Sequence, residues 1–151
     1  MGLDQDLYEY KDGYCLLDNH GKPLTDVSAL LGTHVAEWRN CYLLADVFLD
    51  WDQDFRKLSH NSKAVSGEFL CSLKERCERA LLHETDKEWW NDPDCNHLIQ
   101  LEGTTYLIWR DDHPEGVESQ KYHDFFFQQL HMIINGLKDV RKDINYIYRE
   151  C

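Results

Sequence analysis

Apolar positions in the last third of the chain recur in steps of three and four. Tyr122, Phe126, Leu130, Ile133, Leu137, Val140, Ile144 and Ile147 form one stripe, the best periodicity in the chain. At 3.6 residues per turn, that stripe predicts an amphipathic helix from about Ser119 to Arg149. Gly136 falls inside it. A mid-helix glycine costs up to about 1 kcal/mol against alanine, so its use here points to a close helix contact or a slight bend. A second stripe, Leu70, Leu73, Cys77 and Ala80/Leu81, predicts a helix from about Gly67 to His83. Ser66 is placed to cap its first turn, and Glu68 complements the positive end of the helix dipole. Val35, Trp38, Tyr42, Ala45 and Leu49 also repeat at helical spacing, with Cys41, Leu44, Phe48 and Trp51 widening the face. They predict a helix from about His34 to Arg56, capped by Thr33 and covered on two sides.

The remaining segments read as strands and loops. Residues 3–18 predict a β-hairpin, with Asp12-Gly13 as its turn and Tyr14-Cys15-Leu16-Leu17 returning. Residues 57–65 read as a polar linker, and residues 84–97 as an irregular acidic and aromatic stretch. Leu98–Leu101 and Thr105–Trp109 predict a second short hairpin around Glu102-Gly103-Thr104, followed by an acidic loop from Asp111 to Glu118. The sum is an α+β fold. A single domain over residues 1–151 packs about three helices on a small antiparallel sheet.

Charge narrows the function classes. Lys plus Arg is 16 and Asp plus Glu is 28, a formal charge of −12 in 151 residues. With 42% hydrophobic and 13% aromatic residues, the chain is too apolar for a disordered acidic tail. The negative charge argues against direct binding of nucleic acid or an anionic membrane surface. No apolar run approaches the roughly 20 residues of a membrane span. The opening Met1-Gly2-Leu3-Asp4-Gln5-Asp6 lacks the basic and apolar regions of an export signal, so a cytoplasmic setting is expected. The six cysteines, at 15, 41, 71, 77, 95 and 151, contain no C-x-x-C pair and are expected to be reduced thiols.

Motifs for catalysis are missing. There is no G-x-S-x-G elbow, no phosphate-binding loop and no dinucleotide fingerprint, so no cofactor is implied and an enzyme is disfavoured. Asp50-Trp51-Asp52-Gln53-Asp54 has the 1-3-5 spacing of a calcium loop. Phe55 stands where the turn glycine belongs, and Asn61 where the bidentate glutamate belongs. His83-Glu84 opens like a zinc-protease helix motif, but Lys87 occupies the second histidine position. Asp124 and His131 share a helix face, a lone pair that is more often a surface or core-edge hydrogen bond than an acid–base dyad. A metal or enzyme reading would use Asp94, Cys95, His97, His113 and His131. The acidic clusters are the stronger candidate. Asp46, Asp50 and Asp54 recur every four residues, and Asp52 lies among them, so carboxylates would line one helix edge and repel each other. Trp89 and Trp90 sit beside Asp92 and Asp94 in an expected loop, where exposed tryptophans would suit an interface. These eight residues are the expected partner-binding set.

Several segments together resemble an uncharacterised family of small phage and prophage proteins. They are the opening Met1-Gly2-Leu3-Asp4 with Leu7-Tyr8, the run Trp38-Arg39-Asn40 followed by Leu44 and Phe48, and the helix Ser66-x-Glu68-x-Leu70-x-x-Leu73-x-x-x-Cys77-x-x-x-Leu81. The last is Tyr122-x-x-Phe125-Phe126-Phe127-x-x-Leu130-x-x-x-Ile134-x-x-Leu137. Asn40 stands in place of the family's lysine, and Tyr42, Ala45 and Val47 replace its Asn, His and Trp. The resemblance implies phage or prophage origin and brings no catalytic residues. The expected function is a non-enzymatic phage-type accessory protein. Its carboxylates would occupy a basic cleft on a host nucleic-acid-handling defence protein, as an anti-CRISPR or anti-restriction inhibitor does. The alternative readings are a metal-dependent or other small enzyme, and a homodimer joined along the last helix.

Overall fold

A computed structural model describes residues 3–10, 31–51, 62–101 and 116–150. Among them, four strands form one antiparallel sheet: β1 (Asp4–Tyr10), β2 (Leu31–Arg39), β3 (Ser62–Ser66) and β4 (Asn145–Glu150), in the order β2-β1-β4-β3. Four α-helices accompany it: α1 (Tyr42–Trp51), α2 (Gly67–Leu81), α3 (Pro93–Gln100) and α4 (Gln120–Gly136), with short 3-10 turns at Trp89–Asn91 and Gly116–Glu118. The α+β class follows from this arrangement. Tyr10 onward apart, the return strand expected at 14–17 and the Thr105–Trp109 strand lie outside the described residues.

The sheet turns one face to the helices. Leu7 pairs with Tyr148 across the central ladder, and Leu7, Tyr146 and Tyr148 are buried together. Strand alternation sends Ile147 to the opposite face, where it packs with Tyr10, Leu31 and Ala64. Helix α1 lies over the inner face, its Phe48 ring stacked on Tyr148 at 3.9 Å. A buried polar knot ties α1 to the sheet. Gln5 Oε1 accepts from Cys41 N (2.9 Å), and Gln5 Nε2 donates to Cys41 O (2.9 Å) and Tyr148 Oη (2.8 Å). Tyr148 in turn donates to Glu150 (2.8 Å), and burial together with that carboxylate holds the phenol well above its usual pKa.

Helix α2 matches its sequence signals. Ser66 Oγ accepts from Phe69 N at 3.1 Å, and Leu70, Leu73, Cys77 and Ala80 are its buried face. Ser119 caps α4 in the same way through Tyr122 N. Gly136 is the last residue of α4 rather than a mid-helix position, and its close contact is with a strand: a Cβ there would lie 2.3–2.4 Å from the indole of Trp38 in β2, so the glycine lets that ring lie against α4. Trp38 Nε1 donates to Met132 O at 2.8 Å across the same contact.

Four expected elements take another form. The first helix begins at Tyr42, and residues 31–39 form β2 instead. A run such as Thr33-His34-Val35 suits either state locally, and ladder pairing with β1 decides for the strand. Asn40 then turns the chain in the left-handed region (φ 58°), a conformation asparagine tolerates better than most residues, and its Oδ1 accepts from Leu3 N. The last helix ends at Gly136, not Arg149. Asn145-Tyr146-Ile147-Tyr148 is rich in strand formers and pairs on both sides, with β1 and β3. The stripe from Tyr122 to Ile133 is buried within this chain, against its own sheet and helices. The polar linker at 57–65 contributes β3 from Ser62. Finally, Leu98–Gln100 belongs to α3 rather than to a hairpin, because Asp92-Pro93 starts a helix: Asp92 Oδ1 accepts from Asp94 N, and proline fits the first helical position.

Candidate functional site

Several acidic residues gather at the corner where α2 ends, the 82–92 connection turns and α3 and α4 begin. A shallow groove of about 390 Å³ there is lined by Glu84, Asp86, Glu88 and Glu118, with Lys87 the lysine or arginine among its lining residues. Asp86, Glu88 and Glu118 are exposed. Trp90, half-buried, supplies an apolar wall. Glu88 adopts the left-handed conformation (φ 58°) and so turns the chain into the Trp89–Asn91 3-10 turn.

Histidines knit the corner together. His123 Nε2 meets the Glu84 carbonyl oxygen, while its Nδ1 lies 3.1 Å from Asp124 Oδ1. That contact, with Gln120 Nε2 donating to Asp124, holds the Asp124 carboxyl below the usual range. His131 Nε2 reaches Glu84 Oε1 at 3.4 Å, so the histidine serves the acidic groove rather than pairing with Asp124. His83 stands at the centre of a second group. Its Nδ1 is 2.8 Å from Asp86 Oδ2, and its Nε2 is 3.2 Å from Asp92 Oδ2 and 4.0 Å from Asp94 Oδ2. The Asp86 hydrogen bond, aided by Asp92 and Asp94, raises the His83 pKa above the ordinary imidazole value.

The eight expected partner-binding residues divide. Asp92, Asp94 and Trp90 lie at this corner, partly exposed. Trp89 is only 4% exposed, its ring packed against Phe126 and Phe127, so it is a core residue and not an exposed anchor. Asp46 is buried at 4% exposure, because α1 is covered on both sides; it is no part of an exposed carboxylate edge. Asp50 lies in the last turns of α1, and Asp52 and Asp54 lie outside the described residues. Sequence reasoning passed over Glu84, Asp86, Glu88 and Glu118 as a group. They come from two segments more than 25 positions apart in the chain, and no local pattern in the sequence joins them.

Among the described residues, the metal ligands expected from sequence do not converge. Cys95 is buried and its thiol donates to Ala80 O, His97 is exposed on α3, and His113 lies outside the described residues. Only Asp94 joins a ligating group, with His83 and Asp92. Burial pushes the thiols of Cys41, Cys77 and Cys95 up to about 12. At about pH 8 their thiolate fraction is then about 1 in 10,000, and the thiolate is the reactive form. Iodoacetamide is therefore expected to leave these three unmodified in the native protein and to label them in urea. Peptide mass spectrometry reads this out; native labelling of Cys77 at the rate of a free thiol would contradict it.

No family model, curated protein or solved structure matches this chain. Among the described residues, no helix is long and apolar enough to cross a membrane.

Proposed function

We propose that this chain is an acidic accessory protein of phage type that binds and inhibits a host nucleic-acid-handling protein. The observation that carries the reading is the groove at the α2–α4 corner, with four carboxylates and one lysine on its walls. Carboxylates held at such a corner offer a basic cleft what a phosphate backbone offers: closely spaced negative charge with little reorganisation on docking. Trp90 adds apolar contact of the kind that anchors interfaces. The overall charge of −12 speeds encounter with a basic partner and repels nucleic acid itself. The resemblance to phage and prophage proteins points to a defence nuclease, of the RNA-guided or restriction class, as the target.

The test uses purified defence nucleases and the intact protein. The expected result is a complex that weakens as salt rises, is displaced by duplex DNA, and lowers cleavage. Reversing Glu84, Glu88 and Glu118 together to lysine is expected to weaken the complex at least about tenfold, the scale of losing 1–2 kcal/mol of close charge pairing. A complex indifferent to that triple variant, or one that DNA fails to displace, would overturn the reading.

A further inference from the structure

The His83 group has a charge pattern that its ion pairs leave unbalanced. Three carboxylates, from Asp86, Asp92 and Asp94, surround one imidazole, and the neighbouring cation, Arg79, reaches only Asp94, at 3.5 Å. We infer that His83 Nε2, Asp92 Oδ2 and Asp94 Oδ2 form a binding site for one divalent transition-metal ion of the zinc or manganese type. This inference stands apart from the docking reading, and either can fail alone.

Geometry supports it. The three donor atoms lie within 4.8 Å of one another. Ligands held at about 2.0–2.2 Å from a metal, at angles near 90–110°, stand roughly 2.8–3.6 Å apart. The Nε2 to Asp92 spacing of 3.2 Å already falls in that range, and the 4.0 Å to Asp94 needs a small rotation of one carboxylate. The donors are also held in place. Asp86 fixes the imidazole through Nδ1, as the outer carboxylate does in carboxylate–histidine–metal arrangements. Asp92 Oδ1 is committed to the N-terminus of α3, accepting from Asp94 N (2.8 Å) and Cys95 N (3.4 Å), which leaves Oδ2 to face His83. Cys95 Sγ, bonded to Ala80 O at 3.4 Å, pins α3 to α2 beside the site.

Donor chemistry selects the ion. One imidazole nitrogen with two carboxylate oxygens suits zinc or manganese, whereas calcium and magnesium prefer oxygen throughout. All three residues are partly exposed, so water completes the coordination. A second group, Asp6, His34 and Glu37 across β1 and β2, is more open, and it serves as the internal control.

The experiment is calorimetric titration of the full chain, freed of metal by chelation, with zinc and with manganese ions alone. One ion per chain is expected. Replacing His83→Gln or Asp94→Asn should weaken binding at least about tenfold, and Asp86→Asn roughly 10–100-fold, the usual effect of losing an orienting partner. Asp92→Asn removes a charged ligand while asparagine still caps α3, so its metal-free melting temperature should hold while affinity falls. The Asp6→Asn/His34→Gln control should bind as the parent does. Failure of both ions to bind with Kd below about 0.1 mM (about −5.5 kcal/mol) would overturn the site. So would binding that survives His83→Gln with Asp94→Asn, or that is lost in the control.

Discussion

Trp89→Ala is expected to cost about 3–5 kcal/mol of folding stability, the range for truncating a large buried aromatic. The indole lies 5.2 Å from Phe126, 5.1 Å from Phe127 and 6.1 Å from Tyr122, ring centre to ring centre. It therefore closes the core where the 82–92 connection meets α4. Removing it leaves a cavity bounded by rigid rings that cannot collapse to fill it. Against a typical domain stability of 5–15 kcal/mol, a loss of that size unfolds a sizeable fraction of molecules or leaves a marginal fold. Urea unfolding followed by far-ultraviolet circular dichroism is the measurement. Glu88→Lys, one residue earlier and exposed, should stay within about 0.5 kcal/mol of the parent. The pair separates the two roles: Trp89 builds the corner and Glu88 presents charge on it. A Trp89→Ala protein with the parent's unfolding midpoint would show that the ring is not core.

Gly67→Ala should be the second large loss, about 1–4 kcal/mol. A Cβ at position 67 would stand 1.8 Å from Arg141 O and 2.6 Å from Ile144 O. Both are backbone atoms, so relief requires the whole turn between α4 and β4 to move away. That movement also breaks the 2.8 Å hydrogen bond from Gly67 N to Ile144 O. Overpacking of about 1–3 kcal/mol or more, plus roughly 1 kcal/mol for the lost bond, outweighs the gain of up to about 1 kcal/mol in helix propensity. Gly136→Ala is the informative comparison. Its obstacle is the Trp38 side chain, which can shift at the expense of its bond to Met132 O, so a smaller loss is expected. Equal losses at the two glycines would refute the argument from backbone rigidity.

The legible parts of this fold were those whose information is local. Helix α2 is announced by Ser66, Glu68 and a stripe four residues apart, and it forms within two residues of its expected end. Helix α3 was equally announced by Asp92-Pro93, but the surrounding acidic and aromatic residues read as loop, so a usable signal was passed over. At 140–147 the stripe misled. Val140, Ile144 and Ile147 fall in phase with the helix by spacing alone. Val140 and Ile144 pack from the turn after α4, and Ile147 belongs to the central strand β4, with its side chain on the sheet's outer face.

The candidate site shows the same division. Net charge and the abundance of acids around 84–94 are properties of the chain as written, and so is the absence of catalytic fingerprints. Which acids share a surface is not. Asp46 looked like part of a carboxylate edge, yet it sits on a helix covered by both sheet and α4, while Glu118 joins Glu84 from across the fold.

By itself, then, the sequence determined an acidic α+β chain with a capped α2, an amphipathic helix starting after Ser119, and no recognisable catalytic motif. Tertiary structure alone decided that residues 31–39 and 145–150 are strands, that Trp89 turns inward, and that His83 meets Asp92 and Asp94. The reason is range. Caps and helical stripes are settled within one or two turns. A strand is settled by the partner across its ladder, and a site by segments that only the folded core brings together.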